Sequence, residues 1–143
     1  MKKRIFPLLL LLAAGHAAAA TLQKDGMIGA WETPEPQGVA NEIAGLFREP
    51  LRDRLVIGKD LSVTLTRRFD DGGEQVLTAP PSGVRFQEDL IIVKFPLETG
   101  TAKLVLAGWS SKSGKRMFGN LYLYDVAGLF NGIPVSFEPA RGN

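Results

Sequence analysis

The chain has no cysteine and a single histidine among its 143 residues, and that histidine, His16, lies inside a stretch that reads as a secretory leader. Lys2, Lys3 and Arg4 form a basic start, Ile5 to Ala14 an apolar run, and Ala18-Ala19-Ala20 a small-residue cleavage site before Thr21. The expected division is therefore a signal peptide over 1–20 and a single β-rich domain over 21–143. The exported product would then have neither His nor Cys. That excludes a Ser-His-Asp triad, a Cys-His dyad, a zinc site built on His or thiolate, and a disulfide framework. No cysteine follows the apolar run, so a lipid-anchored lipoprotein is not expected either. Long apolar runs are also lacking. Leu90 to Val93 is four residues long and flanked by Asp89 and Lys94, far short of the roughly twenty that span a bilayer. No integral membrane segment is expected after cleavage, and a periplasmic or secreted location follows.

An excess of one charge is missing as well. The 17 Lys and Arg include the three cations of the leader, so 14 face 15 acidic residues in the exported part, a net charge of −1. The basic character of the full chain belongs to the leader. The charges that remain are interspersed, and nucleic acid is not an expected partner. A domain of this length buries enough apolar surface to fold without cross-links.

Two prolines and a glycine in Thr33-Pro34-Glu35-Pro36-Gln37-Gly38 rule out regular structure there. Met27 to Trp31 alternates weakly and is expected to be a first strand. Val39, Ile43, Leu46 and Phe47 fall at helical spacing, with Pro50 beyond, and predict one short helix. From Leu55 the period becomes two. Val63 and Leu65 alternate with Ser62, Thr64 and Thr66, and Asp70-Asp71-Gly72-Gly73 supplies a turn into a return strand over Glu74 to Leu77. Pro80 to Gly83 breaks that strand. Val84 to Phe86 and Leu90 to Phe95 flank the polar Gln87-Glu88-Asp89 as a hairpin. Lys103 to Trp109 and Met117 to Tyr124 flank a polar loop over Ser110 to Gly114. Ile133, Val135 and Phe137 mark a last strand. About eight short strands joined by hairpin-type turns predict an all-β antiparallel up-and-down barrel with one short helix near its N-terminal end. A two-sheet β-sandwich is the alternative.

Gly29-Ala30-Trp31 at the first strand, followed by a meander, resembles the Gly-x-Trp signature of the lipocalin and calycin group. The resemblance implies a cup whose closed end is plugged by the tryptophan and whose open end admits an apolar ligand. The chain departs from the group in having no Thr-Asp-Tyr turn and no disulfide.

Candidate ligand-binding residues are the aromatic ones: Trp31, Trp109, Phe118, Tyr122 and Tyr124. Phe118, Tyr122 and Tyr124 share one face of a strand whose other face carries Leu121 and Leu123. A strand apolar on both faces has one side in the core and the other against a second layer, a ligand or a partner. Candidate partner-binding residues are Leu129 and Phe130, in the apolar loop Val126 to Gly132, with Lys112 and Lys115 in the cationic run Lys112 to Arg116. That run lacks the features of a phosphate-binding loop. Without His or Cys, catalysis would need a carboxylate pair or a Ser-Lys arrangement such as Ser111 with Lys112 or Lys115. Asp70 and Asp71 adjoin a turn with no cleft to tune them. Asp60, Asp70 and Asp71 lack calcium-loop spacing. No metal and no cofactor is expected.

The sequence therefore favours a non-enzymatic, exported binding module for an apolar or amphipathic small molecule. The alternative is a protein-interaction module, of inhibitor or immunity type, that meets an envelope protein through its loops.

Overall fold

A computed structural model describes residues 19–34, 52–69, 71–124 and 130–142. The predicted helix over Val39 to Phe47, most of the leader, and Asp70 and Leu129 lie outside the described residues, as do the side chains of Tyr124 and Phe130. The elements are β1 (Ala19–Thr21), the single helical turn α1 (Lys24–Met27), β2 (Gly29–Glu32), β3 (Arg52–Ile57), β4 (Val63–Arg68) and β5 (Glu74–Ala79). After a 3-10 turn (Pro81–Gly83) come β6 (Val84–Gln87), β7 (Leu90–Leu97), β8 (Gly100–Ser111), β9 (Gly114–Tyr124) and β10 (Phe130–Pro139).

Every neighbouring pair is antiparallel, in the order β5-β4-β3-β2-β10-β9-β8-β7-β6. An even number of antiparallel steps separates the two ends of this path, so β5 and β6 run in the same direction. The 3-10 turn joins them directly, and β5 packs along β7 beside β6. They act as one strand bent across the join between two sheets, and the sheet curls into a nearly closed barrel. Counted this way, and with β1 set aside as an addition to the edge of β8, the meander has eight strands.

Period two decides what faces inward. Leu55 and Ile57 on β3, Val63 and Leu65 on β4, Ile91, Val93 and Phe95 on β7, Leu104 and Leu106 on β8, and Leu121 on β9 are all buried. None of these exposes more than about a hundredth of its surface to a water-sized probe. The middle of the barrel is therefore filled by its own side chains.

Several boundaries differ from expectation. Met27 belongs to a helical turn rather than to the first strand, which starts at Gly29. Gly29 takes φ +137°, a conformation that an L side chain rarely adopts, and this lets the chain leave the turn straight into β2. The return strand over Glu74 extends to Ala79, and Phe130 to Gly132 open β10 instead of completing a loop. β1 pairs Ala19, Ala20 and Thr21 with Ser111, Ser110 and Trp109.

Candidate functional site

The two ends of the barrel differ in chemistry. At one end Leu22 and Met27 fold under the strands. Leu22 donates its amide to Gly108 O (2.8 Å), and a Cβ on Gly108 would stand 2.9 Å from Leu22 Cδ1, so a glycine is what admits this side chain. Trp31, 3 % exposed, donates its Nε1–H to Met27 O at 2.8 Å. Trp31 is thus buried beside the Met27 turn and is not displayed on the surface.

The other end is polar. On β3 and β4 the inward parity of Leu55, Ile57, Val63 and Leu65 continues outward along the strands to Asp53 and Arg67. These two are direct cross-strand partners, 6 % and 4 % exposed. Arg67 Nε donates to Asp53 Oδ1 at 3.2 Å. The Thr33 hydroxyl accepts from Asp53 N (3.1 Å) and donates to Asp53 O (3.3 Å), fixing the start of β3 against the end of β2. Burial pushes the Asp53 carboxyl above its ordinary pKa of 3.8, although the charge of Arg67 and its hydrogen bond pull the other way.

Among the described residues, Arg67 retains donors without a protein partner. A guanidinium carries five N–H groups, and the hydrogen bond formed here is the one from Nε. Among the described residues no fully enclosed side-chain nitrogen or oxygen lacks a partner, so the Nη groups are not sealed in. Arg67 also lines a cleft of about 170 Å³ together with Thr33, Asp53, Ile133, Pro134, Val135 and Ser136. Its lining combines both charges with Ile133 to Ser136 of β10.

Outside this cleft the same two strands carry further arginines. Arg52 and Arg68 are cross-strand partners, and each is compensated from the next strand, Arg52 by Glu32 and Arg68 by Glu74, both at 3.4 Å. Without those carboxylates the opposed like charges would repel. Arg54 lies beside them along a second hollow of about 310 Å³. Neither this cluster nor the Asp53–Arg67 pair was among the residues singled out from the sequence. The signal was present: Asp53 and Arg67 keep the inward phase of their strands.

The aromatic candidates divide between the inside of the barrel, where Trp31 is buried, and its outside. Trp109, Phe118 and Tyr122 stand on the outer wall, because Gly108, Met117 and Leu121 take the inward positions. Trp109 and Phe118 meet edge to face, with centroids 4.6 Å apart. Phe118 is 49 % exposed and Leu90, two strands away, 36 %. Lys112 and Lys115 stand exposed at the tip of the β8–β9 hairpin. The Ser111 hydroxyl pairs with Ser113 Oγ (2.8 Å) rather than with a lysine amine. Arg116 is tied to Glu138 on β10 at 3.2 Å. Among the described residues no group of three or more acidic or imidazole side chains is arranged to hold a metal ion, and no helix is long and apolar enough to cross a membrane.

Compared with known proteins, the chain matches no family model, no curated sequence and no solved structure. The functional reading rests on the barrel and its own side chains.

Proposed function

We propose that the protein is an exported, non-enzymatic binding module of lipocalin-like architecture that takes a small amphipathic ligand at the polar end of the barrel. The observation that carries this reading is Arg67: a guanidinium almost wholly buried, held by one hydrogen bond among the described residues, on the lining of a cleft. Burying a charge is costly, and a cation left with unused donors at the edge of a cleft is placed to receive an acceptor. A meander closing on itself, with a buried Gly-x-Trp tryptophan in its first long strand pair, supports the lipocalin-like part. The filled middle argues for a ligand held at the mouth, because a guest among Leu55, Leu104 and Leu121 would have to displace close-packed side chains.

Amide chemical-shift mapping of the labelled protein during titration with small acids, amides and alcohols tests the reading. Saturable shifts gathered at Thr33, Asp53, Arg67 and Val135 are expected. Shifts gathered at Leu55, Leu104 and Leu121, accompanied by a lipid-sized adduct in native mass spectra, would move the site into the interior and overturn it.

A second reading is favoured by the outer wall. Leu90, Ile92, Trp109 and Phe118 form an apolar surface on β7 to β9, which suits contact with another envelope protein. Under this reading, alanine at Phe118 abolishes capture of a stoichiometric partner and leaves the cleft titration unchanged.

A further inference from the structure

We infer that the ligand carries a carboxylate, received end-on by the two Nη groups of Arg67, with Asp53 as the positioning residue that holds the guanidinium from its Nε side. The inference rests on the cleft reading above and adds the chemical class.

Three observations lead to it. The Nε edge is committed to Asp53 Oδ1, so the donors that remain are those of the Nη end. Two adjacent N–H vectors from a planar guanidinium match the two oxygens of a planar carboxylate. Local charge also points to a monoanion. Asp53 and Arg67 are the charged residues that line the cleft, and they cancel. A carboxylate therefore adds one negative charge beside the buried Asp53, whereas a phosphate dianion adds two. The third observation is size and lining. A space of about 170 Å³ walled partly by Ile133, Pro134 and Val135 accommodates a short aliphatic chain, not an extended acyl tail. Thr33 is not free to help, since its hydroxyl serves the Asp53 backbone in both directions.

The experiment compares sodium butyrate, butyramide, inorganic phosphate and sodium chloride as probes of the purified protein at constant ionic strength, read by amide shifts and by the Arg67 Nε–H resonance. Butyrate is expected to saturate, moving Arg67 Nε–H together with the Asp53 and Val135 amides. Arg67→Lys, which keeps the charge but loses the fork, is expected to weaken butyrate at least ~10-fold. Val135→Phe, which fills the cleft and leaves the ion pair in place, is expected to abolish the saturable shift, and it keeps the test decisive if the lysine variant fails to fold. Butyramide binding as tightly as butyrate at the same residues would overturn the carboxylate assignment while sparing the binding cleft. Tighter binding of phosphate would overturn the monoanion argument. Butyrate shifts that chloride reproduces, or that gather at Arg52, Arg54 and Arg68, would reduce the effect to surface screening. With no saturable binding by any probe, the cleft reading falls as well.

Discussion

Asp53 and Arg67 occupy inward places that Leu55 and Leu65 fill two residues further along the same strands. A buried ion pair is weak support for stability but strong insurance against losing one partner, because the survivor is left charged and unpaired. Asp53→Asn and Arg67→Met alone are each expected to destabilise the fold by about 3–5 kcal/mol, whereas Asp53→Leu with Arg67→Met together should be neutral or stabilising. Urea unfolding of the three variants checks this, and a stability loss in the double variant equal to the sum of the singles would contradict it. The pair also sets an acid response. Native Asp53 holds its proton at a higher pH than an aspartate in the unfolded chain, near 3.8. Its contribution to stability is therefore full below that value and falls as pH rises through the native pKa. Asp60 runs the other way. It accepts from Ser62 Oγ (2.7 Å) and Ser62 N (3.0 Å), which hold its carboxyl below the ordinary range. Its contribution is present above 3.8 and is lost as pH falls through the native pKa. Carboxyl-carbon titration by NMR should place Asp53 above 3.8 and Asp60 below it, and the reverse order would refute the assigned environments.

At the scale of the element, the long hairpins were legible because alternation and turn chemistry agree. Glu88-Asp89 breaks β6 from β7, where Glu88 takes φ +53°, and Leu104, Leu106, Leu121 and Leu123 keep one phase across β8 and β9. The polar end was not legible by the same reasoning. Apolar alternation is clear from Leu55 to Leu65 and is interrupted on either side by Asp53 and Arg67, charged residues that hold inward places through their pairing. The facing of the aromatic candidates was hidden for a related reason. Periodicity shows that Phe118 and Tyr122 share a face, but neighbouring strands decide which face is inside, and Leu104, Leu106 and Leu121 won it. Gly119 gives the sharpest test of β8–β9 packing. A Cβ there would lie on the carbonyl oxygen of Val105 and against its carbonyl carbon, backbone atoms that cannot rotate away. Gly119→Ala should therefore destabilise the protein by at least about 1–3 kcal/mol, the usual cost of overpacking. It should also shift the Val105 and Leu106 amides, while an unchanged melting temperature would show that the strands yield easily.

Over the whole molecule, closure is uneven, and that unevenness governs how the barrel opens. β8 and β9 are paired over eleven positions, from Thr101↔Tyr124 to Ser111↔Gly114, whereas β2 and β10 meet at two, Glu138↔Glu32 and Pro139↔Trp31, helped by Ala140 N donating to Ala30 O at 2.9 Å. Proline cannot donate to a ladder, so Pro139 limits this junction further. The join between β5 and β6 relies on packing along β7 more than on a continuous ladder. Local opening follows the weakest cooperative contacts. Native-state hydrogen exchange should therefore find the Ala140 amide exchanging through a small opening, while Val105, Leu106 and Leu121 exchange only with global unfolding. The cleft lies against β10 on one side and β3–β4 on the other, so the strands that flank the β2–β10 junction are those a ligand would bridge. Saturating butyrate should slow exchange at Ala140 and leave the β8–β9 amides unchanged below the global limit, as linkage requires of a ligand that binds only the closed form. Equal slowing at every amide would show instead that β2–β10 opens only when the whole barrel does.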